Sequence, residues 1–257
     1  MATGATKRKT KGWLPNQHGA WAMIIVPFLV GLLLVLPYRP LDWGDLALFV
    51  TWLIGYFAFD ALVFILKSPA KRRSAYYRAF GTYGAVAVVA GLVTLYFRGW
   101  EILWWTPAYA LLLGTALYLA GTKRERSVLS GVLTIVASCG LMPVLRSTAE
   151  AGFVRADEVA VMAIITAYFI GTIFHVKALI RERNNPRSTP RSLAYHCVLL
   201  AAVAVAVALG WLTWGWIVWG IALVVRAWWL PRKRRKPIQI GIVEIIMSVW
   251  ALLLVLI

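Results

Sequence analysis

The stretch LALFVTWLIGYFAFDALVFIL (residues 46–66) contains one charged side chain, Asp60, in an otherwise uncharged run. A helix of about 20 residues crosses the ~30 Å hydrocarbon core of a bilayer, so this stretch predicts a transmembrane helix. It is followed at once by KSPAKRR (67–73), and clusters of Lys and Arg of this kind stay on the cytoplasmic side of a membrane. This segment therefore predicts both a membrane-spanning fold and its orientation.

The composition extends this prediction to the whole chain. Hydrophobic residues make up 61% of the 257 positions, and the mean hydropathy is +0.75 with a formal net charge of +17. Soluble domains are about half apolar, so these values exclude a soluble basic nucleic-acid-binding protein and a disordered chain. Cys139 and Cys197 lie in apolar runs, which argues against a disulfide framework or a cysteine zinc site. We expect a single transmembrane domain over residues 1–257 that binds no nucleic acid.

Polar and charged clusters divide the chain into nine apolar segments that we predict to be membrane helices. They lie at about 20–38, 46–66, 80–97, 101–120, 127–145, 158–179, 193–211, 214–230 and 238–257. The first is too long for the apolar core of a signal peptide, and no small-x-small cleavage site follows it before Pro37. The predicted fold class is an all-α polytopic membrane helix bundle.

The distribution of basic residues supports nine crossings. Successive loops must alternate between the two sides, and with nine helices all but four of the 27 basic residues fall on the side of the N-terminus. We therefore predict an N-terminus inside and a C-terminus outside, with residues 1–15 as a mobile basic tail in the cytoplasm. The four exceptions are Arg39, Arg98, Arg146 and Arg155.

Ionisable side chains inside apolar segments are the best sequence pointer to function, because each is costly in hydrocarbon unless it is paired or faces a cavity. Five such residues fall in the cytoplasmic half of the predicted topology, and the outer half has no comparable set: His18, Asp60, His175, His196 and Glu244. We predict one polar cavity that opens to the cytoplasm. His18, Asp60, His175 and Glu244 are the candidate catalytic acid–base groups.

Structural roles are the alternative for three of these residues. Asp60 could neutralise a basic residue of a neighbouring helix, and His196 could be a satisfied core or interfacial histidine. Glu244 could form a structural pair with Arg226 or with the RKRRK run at residues 232–236.

Two basic loops are candidates for binding an anion. Asp60, Phe64 and Lys67 share one helix face, and the segments FDALVFILKSPAKRRSAYY (59–77) and FHVKALIRERNNPRSTPRSLAYH (174–196) resemble each other, which predicts a parallel internal repeat. Two such loops at the ends of same-facing helices could clamp a phosphate, for which the Arg fork is well suited. The predicted substrate-binding residues are Asn16, Gln17, Lys67, Arg72, Arg73, Lys177, Arg181, Glu182, Arg183, Asn184 and His196.

Three motifs resemble a known family. WLPNQHGAWAMIIVPFLVGLL (13–33), FHVKALIRERNN (174–185) and KPIQIGIVEI (236–245) are similar to the YwiC-like family of bacterial membrane proteins. The resemblance implies a multi-pass protein of the bacterial cytoplasmic membrane.

The layout is also similar to that of UbiA-type prenyltransferases. This second resemblance implies nine helices with the N-terminus inside and functional loops after helices 2 and 6. That family uses two Asp-rich motifs to hold Mg²⁺ against a prenyl diphosphate. Here Val63 and Lys67 follow Asp60 where further carboxylates would be needed, and the second region offers Lys177, Arg181, Glu182 and Arg183. This set does not suit Mg²⁺, so we expect no metal site and no cofactor, with Lys and Arg binding the phosphate directly. A tightly held Mg²⁺ would contradict this expectation.

The function expected from these features is binding of an anionic lipid, either a phospholipid or an isoprenoid phosphate, in an inward-opening cavity. A group transfer without the usual Asp-rich Mg²⁺ site is a further step that the UbiA resemblance implies. Besides membrane lipids we predict no specific partner, and the sequence does not predict an oligomeric state. One alternative is a small-solute or anion transporter, although the sequence shows no discontinuous helix and little polar lining in the outer half. The other is a non-catalytic subunit or assembly factor of a membrane complex.

Overall fold

Helices account for nearly all of the regular structure. The computed structural model describes Trp13 and residues 20–124, 127–149 and 152–257, and within these ranges it contains no strand. The helices are α1 (Ala20–Val35), α2 (Trp43–Lys67), α3 (Ala70–Arg98), α4 (Thr106–Gly121), α5 (Val128–Cys139), α6 (Leu141–Ser147), α7 (Ala156–Val176), α8 (Ser188–Ala208), α9 (Trp214–Trp229) and α10 (Pro237–Leu254). Short 3₁₀ helices (Trp100–Trp105 and Leu230–Arg232) precede α4 and follow α9, and one π-helical turn (Lys177–Arg181) follows α7.

Each of the nine predicted segments contains a helix, and the all-helical membrane fold is confirmed. Within the described ranges, seven segments are long and apolar enough to cross a membrane: Trp43–Lys67, Ala70–Arg98, Trp100–Gly121, Val128–Ser147, Ala156–Arg181, Ser188–Ala208 and Pro237–Leu254. α1 and α9 are apolar but have only 16 residues each. Seven spans are thus established by length and composition.

The helices divide into a tightly packed group and a peripheral group. The largest cluster of buried side chains draws on α1, α5 and α7–α10, and its members include Val30, Ile135, Ile165, Trp216 and Trp219. α2, α3 and α4 contribute few buried residues, and α3 packs mainly along α2. In a membrane protein such exposed apolar faces contact lipid or line cavities.

One membrane segment is kinked in the middle. Between α5 and α6, Gly140 keeps helical backbone dihedrals and its carbonyl still accepts from the N–H of Val144, whereas Pro143 has no N–H to donate to the carbonyl of Cys139. Just before the kink, Tyr109 donates to the carbonyl of Ala137 at 3.0 Å, and the Ser138 hydroxyl donates to the carbonyl of Met23 in α1. Val128–Ser147 is thus one membrane segment with a proline kink.

Ion pairs hold together one end of the bundle, which we call the paired end because Arg39, Arg98, Arg146 and Arg155 all pair with carboxylates there. Asp42 caps α2, and its side chain accepts both an α2 backbone N–H and Arg98. Arg39 binds both oxygens of Asp45 at 2.7 and 2.8 Å, and it also donates to Thr148. These contacts join the loops before α2 and after α6.

One ion pair at the paired end, between Arg146 and Glu158, is almost completely buried. Arg146 and Glu158 have 2% and 7% exposed side chains, and the guanidinium Nε lies 2.9 Å from Glu158 Oε1. Tyr38 donates its hydroxyl to the same carboxylate, and its ring lies under the Arg146 guanidinium. We had expected no comparable set of ionisable residues in the membrane half opposite the basic loops, and we had assigned Arg146 and Glu158 to loops. In the structure these two residues are buried at helix ends.

α2 and α7 both start at the paired end and run away from it. They finish at Lys67 and Val176 at the opposite end of the bundle, which we call the basic end.

We expect Arg146→Met to lower the free energy of unfolding by about 3 kcal/mol, because Glu158 would remain buried without its cation. The measurement is thermal unfolding of the purified protein in detergent. Arg155→Met is the matched control, since the Arg155–Asp157 pair is largely exposed and should change stability little. Equal stability of the two variants would contradict a structural role for the buried pair.

Candidate functional site

The predicted site residues do not meet in one cavity. Asp60 and Lys67 line a cavity bounded by α1, α2, α4 and α5, whereas His175, His196 and Glu244 lie in a buried polar network among α7–α10. The single cavity expected from the sequence is therefore divided into two regions. Asn16, Gln17 and His18 lie outside the described residues.

Arg226 is the centre of the α7–α10 network, which consists of Tyr168, His175, His196, Arg226, Glu244 and Ser248. Arg226 is only 3% exposed, and its Nη1 donates to Glu244 Oε2 at 2.6 Å. Nη2 donates to His196 Nε2 at 2.9 Å. A buried guanidinium is tolerated in a membrane segment only when carboxylates and other acceptors surround it. The alternative of a structural pair between Glu244 and Arg226 is the geometry found.

The hydrogen bonds of His196 determine its tautomer. A guanidinium can only donate, so Nε2 must carry the lone pair. Nδ1 lies 2.7 Å from the backbone carbonyl of Ser192, which can only accept, so Nδ1 carries the proton. His196 is thus a neutral imidazole with both nitrogens satisfied, as expected for a core histidine.

Tyr168 ties α7 to the same network. Its hydroxyl lies 3.0 Å from Ser248 Oγ and donates to the carbonyl of Glu244, which also accepts from Ser248. The Arg226 guanidinium lies 5.9 Å from the centre of the Tyr168 ring.

His175 is buried in the network but makes no hydrogen bond with a described residue. The residue is 0% exposed, and neither ring nitrogen has a partner among the described residues. Nε2 lies 3.9 Å from Glu244 Oε1, an oxygen that is also unpartnered, and this distance is about 1 Å too long for a hydrogen bond. A small shift of α7 against α10 would bring the two atoms into contact. The π-helical turn that follows His175 is a form of helix that often occurs at functional sites.

The second region is a cavity of about 630 Å³, which we call the inner cavity. Most of its wall is apolar. The exceptions include two charged residues, Asp60 and Lys67, together with Thr51, Tyr56, Tyr109, Ser130, Thr134 and Ser138. No described residue makes a hydrogen bond or ion pair with Asp60, so its expected pairing with a neighbouring helix does not occur within the described ranges. Phe64 lies between the two charges, beneath the Lys67 ammonium at 5.4 Å.

The predicted anion clamp is not assembled around this cavity. Lys177 pairs with Glu182 at 2.8 Å, and Ser188 donates to the same carboxylate. The hydrogen bond from Lys177 is the main reason why the pKa of Glu182 lies below its usual range. None of these residues lines the inner cavity, and neither do Arg72, Arg73, Arg181, Arg183 and Asn184.

Sequence reasoning gave too little weight to Arg226. It was counted with the basic loops and considered only as a partner of Glu244, although it lies inside the apolar segment 214–230. An arginine at that position was the signal that a buried network exists. Within the described ranges no group of three or more His, Cys, Asp or Glu residues could hold a metal ion.

We expect ¹⁵N NMR of histidine-labelled protein to show His196 as the neutral Nδ1–H tautomer, with its signal assigned through His196→Gln. Arg226→Met should remove this preference, because Nε2 would lose its donor. Lys233→Met, a change in an exposed residue of the basic run, should leave the signal unchanged. An Nε2–H imidazole in the unaltered protein would contradict the contact with Arg226.

Sequence comparisons place the chain among known proteins. The model of the family described as YwiC-like protein matches residues 14–146, just over half of the chain. A Bacillus subtilis (strain 168) protein described as "Uncharacterized protein YwiC" is 30% identical over 244 residues, which cover 92% of this chain and 93% of that protein. A Haemophilus influenzae protein described as "Uncharacterized protein" is 29% identical over 235 residues, 90% of this chain and 92% of the relative. No solved structure matches the chain. The chain belongs to the YwiC-like family, as its three motifs predicted.

Proposed function

We propose that this YwiC-like membrane protein binds an anionic amphiphile, with the apolar tail in the inner cavity and the anionic head near Lys67. The observation that carries the proposal is the shape and chemistry of the cavity wall on α2. Lining residues recur at three- and four-residue steps from Leu48 to Lys67, a distance of about 28 Å along the helix at 1.5 Å per residue. An elongated apolar groove with charge at one end matches an amphiphile.

The head of the amphiphile would meet a cation rather than a metal. Lys67 can bind a phosphate as a point charge. Asp60 is the only carboxylate among the described residues of the wall, and one carboxylate does not make a Mg²⁺ site. A group transfer at this head would use Asp60, about two helical turns below Lys67, as its acid or base.

The orientation of the protein completes the proposal. The seven established spans together with α1 and α9 would give nine crossings, which put the basic end in the cytoplasm and the paired end outside. The excess of Lys and Arg at the basic end supports this topology. The pairing of the four arginines at the paired end with carboxylates supports it as well. The bacterial relatives support a location in the bacterial cytoplasmic membrane.

Lys67→Gln should weaken binding of dioleoyl phosphatidic acid about tenfold, because a charge-assisted contact worth roughly 1.4 kcal/mol is lost. Native mass spectrometry of detergent-purified protein measures the retained lipid. Dioleoylglycerol, which lacks the phosphate, should show no difference between the variants. Farnesyl phosphate in a parallel titration would show which kind of tail the cavity prefers.

Lys71→Gln is the matched control for Lys67→Gln. Lys71 is exposed, lies in the first turn of α3 close in sequence to Lys67 and does not line the cavity, so its loss should leave binding unchanged. If both variants bind phosphatidic acid as the unaltered protein does, the head does not lie at Lys67.

Gly55→Leu should block the tail site without unfolding the protein. A Cβ at Gly55 has no neighbour within 4 Å, so the larger side chain would extend into the cavity that Gly55 lines. Leucine also favours helix over glycine by up to about 1 kcal/mol. Gly81→Leu on α3 is the control, since Gly81 is equally uncrowded but lies away from the cavity. We expect lipid retention to fall for Gly55→Leu alone, and retention at the original level would rule out the cavity as the tail site.

A further inference from the structure

The inner cavity has a neighbour at the paired end. A second pocket, of about 710 Å³, is lined by polar and aromatic residues that include Arg39, Arg98, Glu101, Ser147 and Thr148. We call it the outer pocket. Two residues, Ile102 and Trp105, line both the outer pocket and the inner cavity. They therefore form the wall that divides two spaces of similar size.

The dividing wall is held by one hydrogen bond. The indole Nε1–H of Trp105 donates to Ser147 Oγ at 3.1 Å, which connects the helix end before α4 to the end of α6. Ile102 and Trp105 are only half-buried and pack against the edge of the α1–α2–α6 cluster. An aromatic ring fixed by a single hydrogen bond at the surface of a cluster can rotate without disturbing the core.

The kinked helix lies beside the same path. Ala137, Ser138, Leu141 and Val144, on both sides of the kink at Gly140, line the inner cavity. The kink thus forms part of the wall of the inner cavity. A transport path also requires polar lining in the outer half, which the sequence did not reveal and the outer pocket supplies.

The outer pocket carries both positive and negative side chains, so it suits a polar group that is either cationic or anionic. Arg39 and Arg98 are matched by Asp42 and Asp45, and Glu101 adds one further carboxylate. The lining is thus strongly polar without a dominant positive charge. A headgroup that left Lys67 would find hydrogen-bonding partners here without being trapped.

We propose that the inner cavity and the outer pocket are the two halves of one transmembrane path, gated by Trp105, along which the polar head of the bound amphiphile moves between the membrane faces. The activity is translocation of the headgroup, with the apolar tail remaining in the groove or in lipid. A polar head crosses hydrocarbon at a high free-energy cost. In the mostly apolar inner cavity that cost would be lowered by the polar side chains spaced along α2, which are Lys67, Asp60, Tyr56 and Thr51, and beyond the dividing wall by the polar lining of the outer pocket. The identity of the cargo rests on the proposed function, whereas the existence of the path does not.

Cysteine accessibility tests the path. In a Cys139→Ala, Cys197→Ala background, Thr134→Cys places one thiol on the wall of the inner cavity. Right-side-out membrane vesicles are treated with the membrane-impermeant anion 2-sulfonatoethyl methanethiosulfonate. If the Trp105 gate is open about 10% of the time or less, Trp105→Ala should raise the rate of labelling from outside by roughly tenfold or more. Phe153→Cys, at a residue that is 99% exposed in the loop before α7, reports full access from the outside.

Trp100→Ala is the matched control. It removes another indole of the same short 3₁₀ helix (Trp100–Trp105), one that is 76% exposed and lines neither the inner cavity nor the outer pocket, so the labelling rate should stay at its original value. Labelling from the cytoplasmic side, measured in inverted vesicles, should be the same in all variants and shows that each is folded. An unchanged outside rate in Trp105→Ala, with inside labelling intact, would overturn the path.

Lipid movement tests the cargo. Phosphatidylcholine vesicles containing the protein and a trace of phosphatidic acid with a fluorescent acyl chain are bleached from outside with dithionite. Trp105→Ala should speed the loss of inner-leaflet fluorescence relative to Trp100→Ala, which changes neither pocket. An open path by cysteine labelling without faster lipid movement would overturn the headgroup as cargo. Because Lys67→Gln tests binding alone, a failure of translocation can be distinguished from a failure of the proposed function.

Discussion

A charge placed in hydrocarbon must find a partner inside the protein, and the contact between Arg226 and Glu244 meets this requirement for half of the bundle. The pair joins α9 to α10, and the same guanidinium binds His196 of α8. Tyr168 of α7 completes the set through the backbone carbonyl of Glu244. Four helices are thus held in register by contacts to two charged residues. Removing either charge would leave the other without an equivalent partner, because lipid offers none.

The requirement that a buried charge has a partner explains why the two ends of the molecule differ. At the paired end every arginine has a carboxylate, and Arg146 and Glu158 can therefore be buried. At the basic end the cations lie in loops and near helix ends, and Arg232 lies over the ring of Trp228 at 3.4 Å. The excess of positive charge is thus concentrated at that end, and few of the described cations, such as Lys67, line a cavity.

The positions of the helices could be predicted because hydropathy and segment length depend on the local sequence alone. The grouping of the polar residues could not, since it depends on how each helix is rotated. Asp60 and His175 both lie in the half of their helix nearer the basic end, yet α2 turns one towards α4 and α5 while α7 turns the other towards α10. The kink at Gly140 was visible as a proline in segment 127–145 but was obscured by the continuous hydropathy. Arg226 was treated as a loop residue because charge counting assigned it to the nearest basic cluster.

The boundary between the tightly packed helices α7–α10 and the loosely packed helices α2–α4 is the part of the bundle where a functional change of shape would break the fewest contacts. α7–α10 are fixed by buried charges and large side chains such as Trp219, so a change of shape there would break several contacts at once. α2, α3 and α4 bury little of their surface and can shift against α1 and α5 at small cost. The inner cavity lies along this boundary, and residues that match the family model, 14–146, supply its whole described wall except Ile173. A rigid half that holds its position against a movable half that encloses the cavity is the arrangement that the proposed gated path requires, since opening of the wall at Trp105 would leave the buried ion pairs of α7–α10 intact.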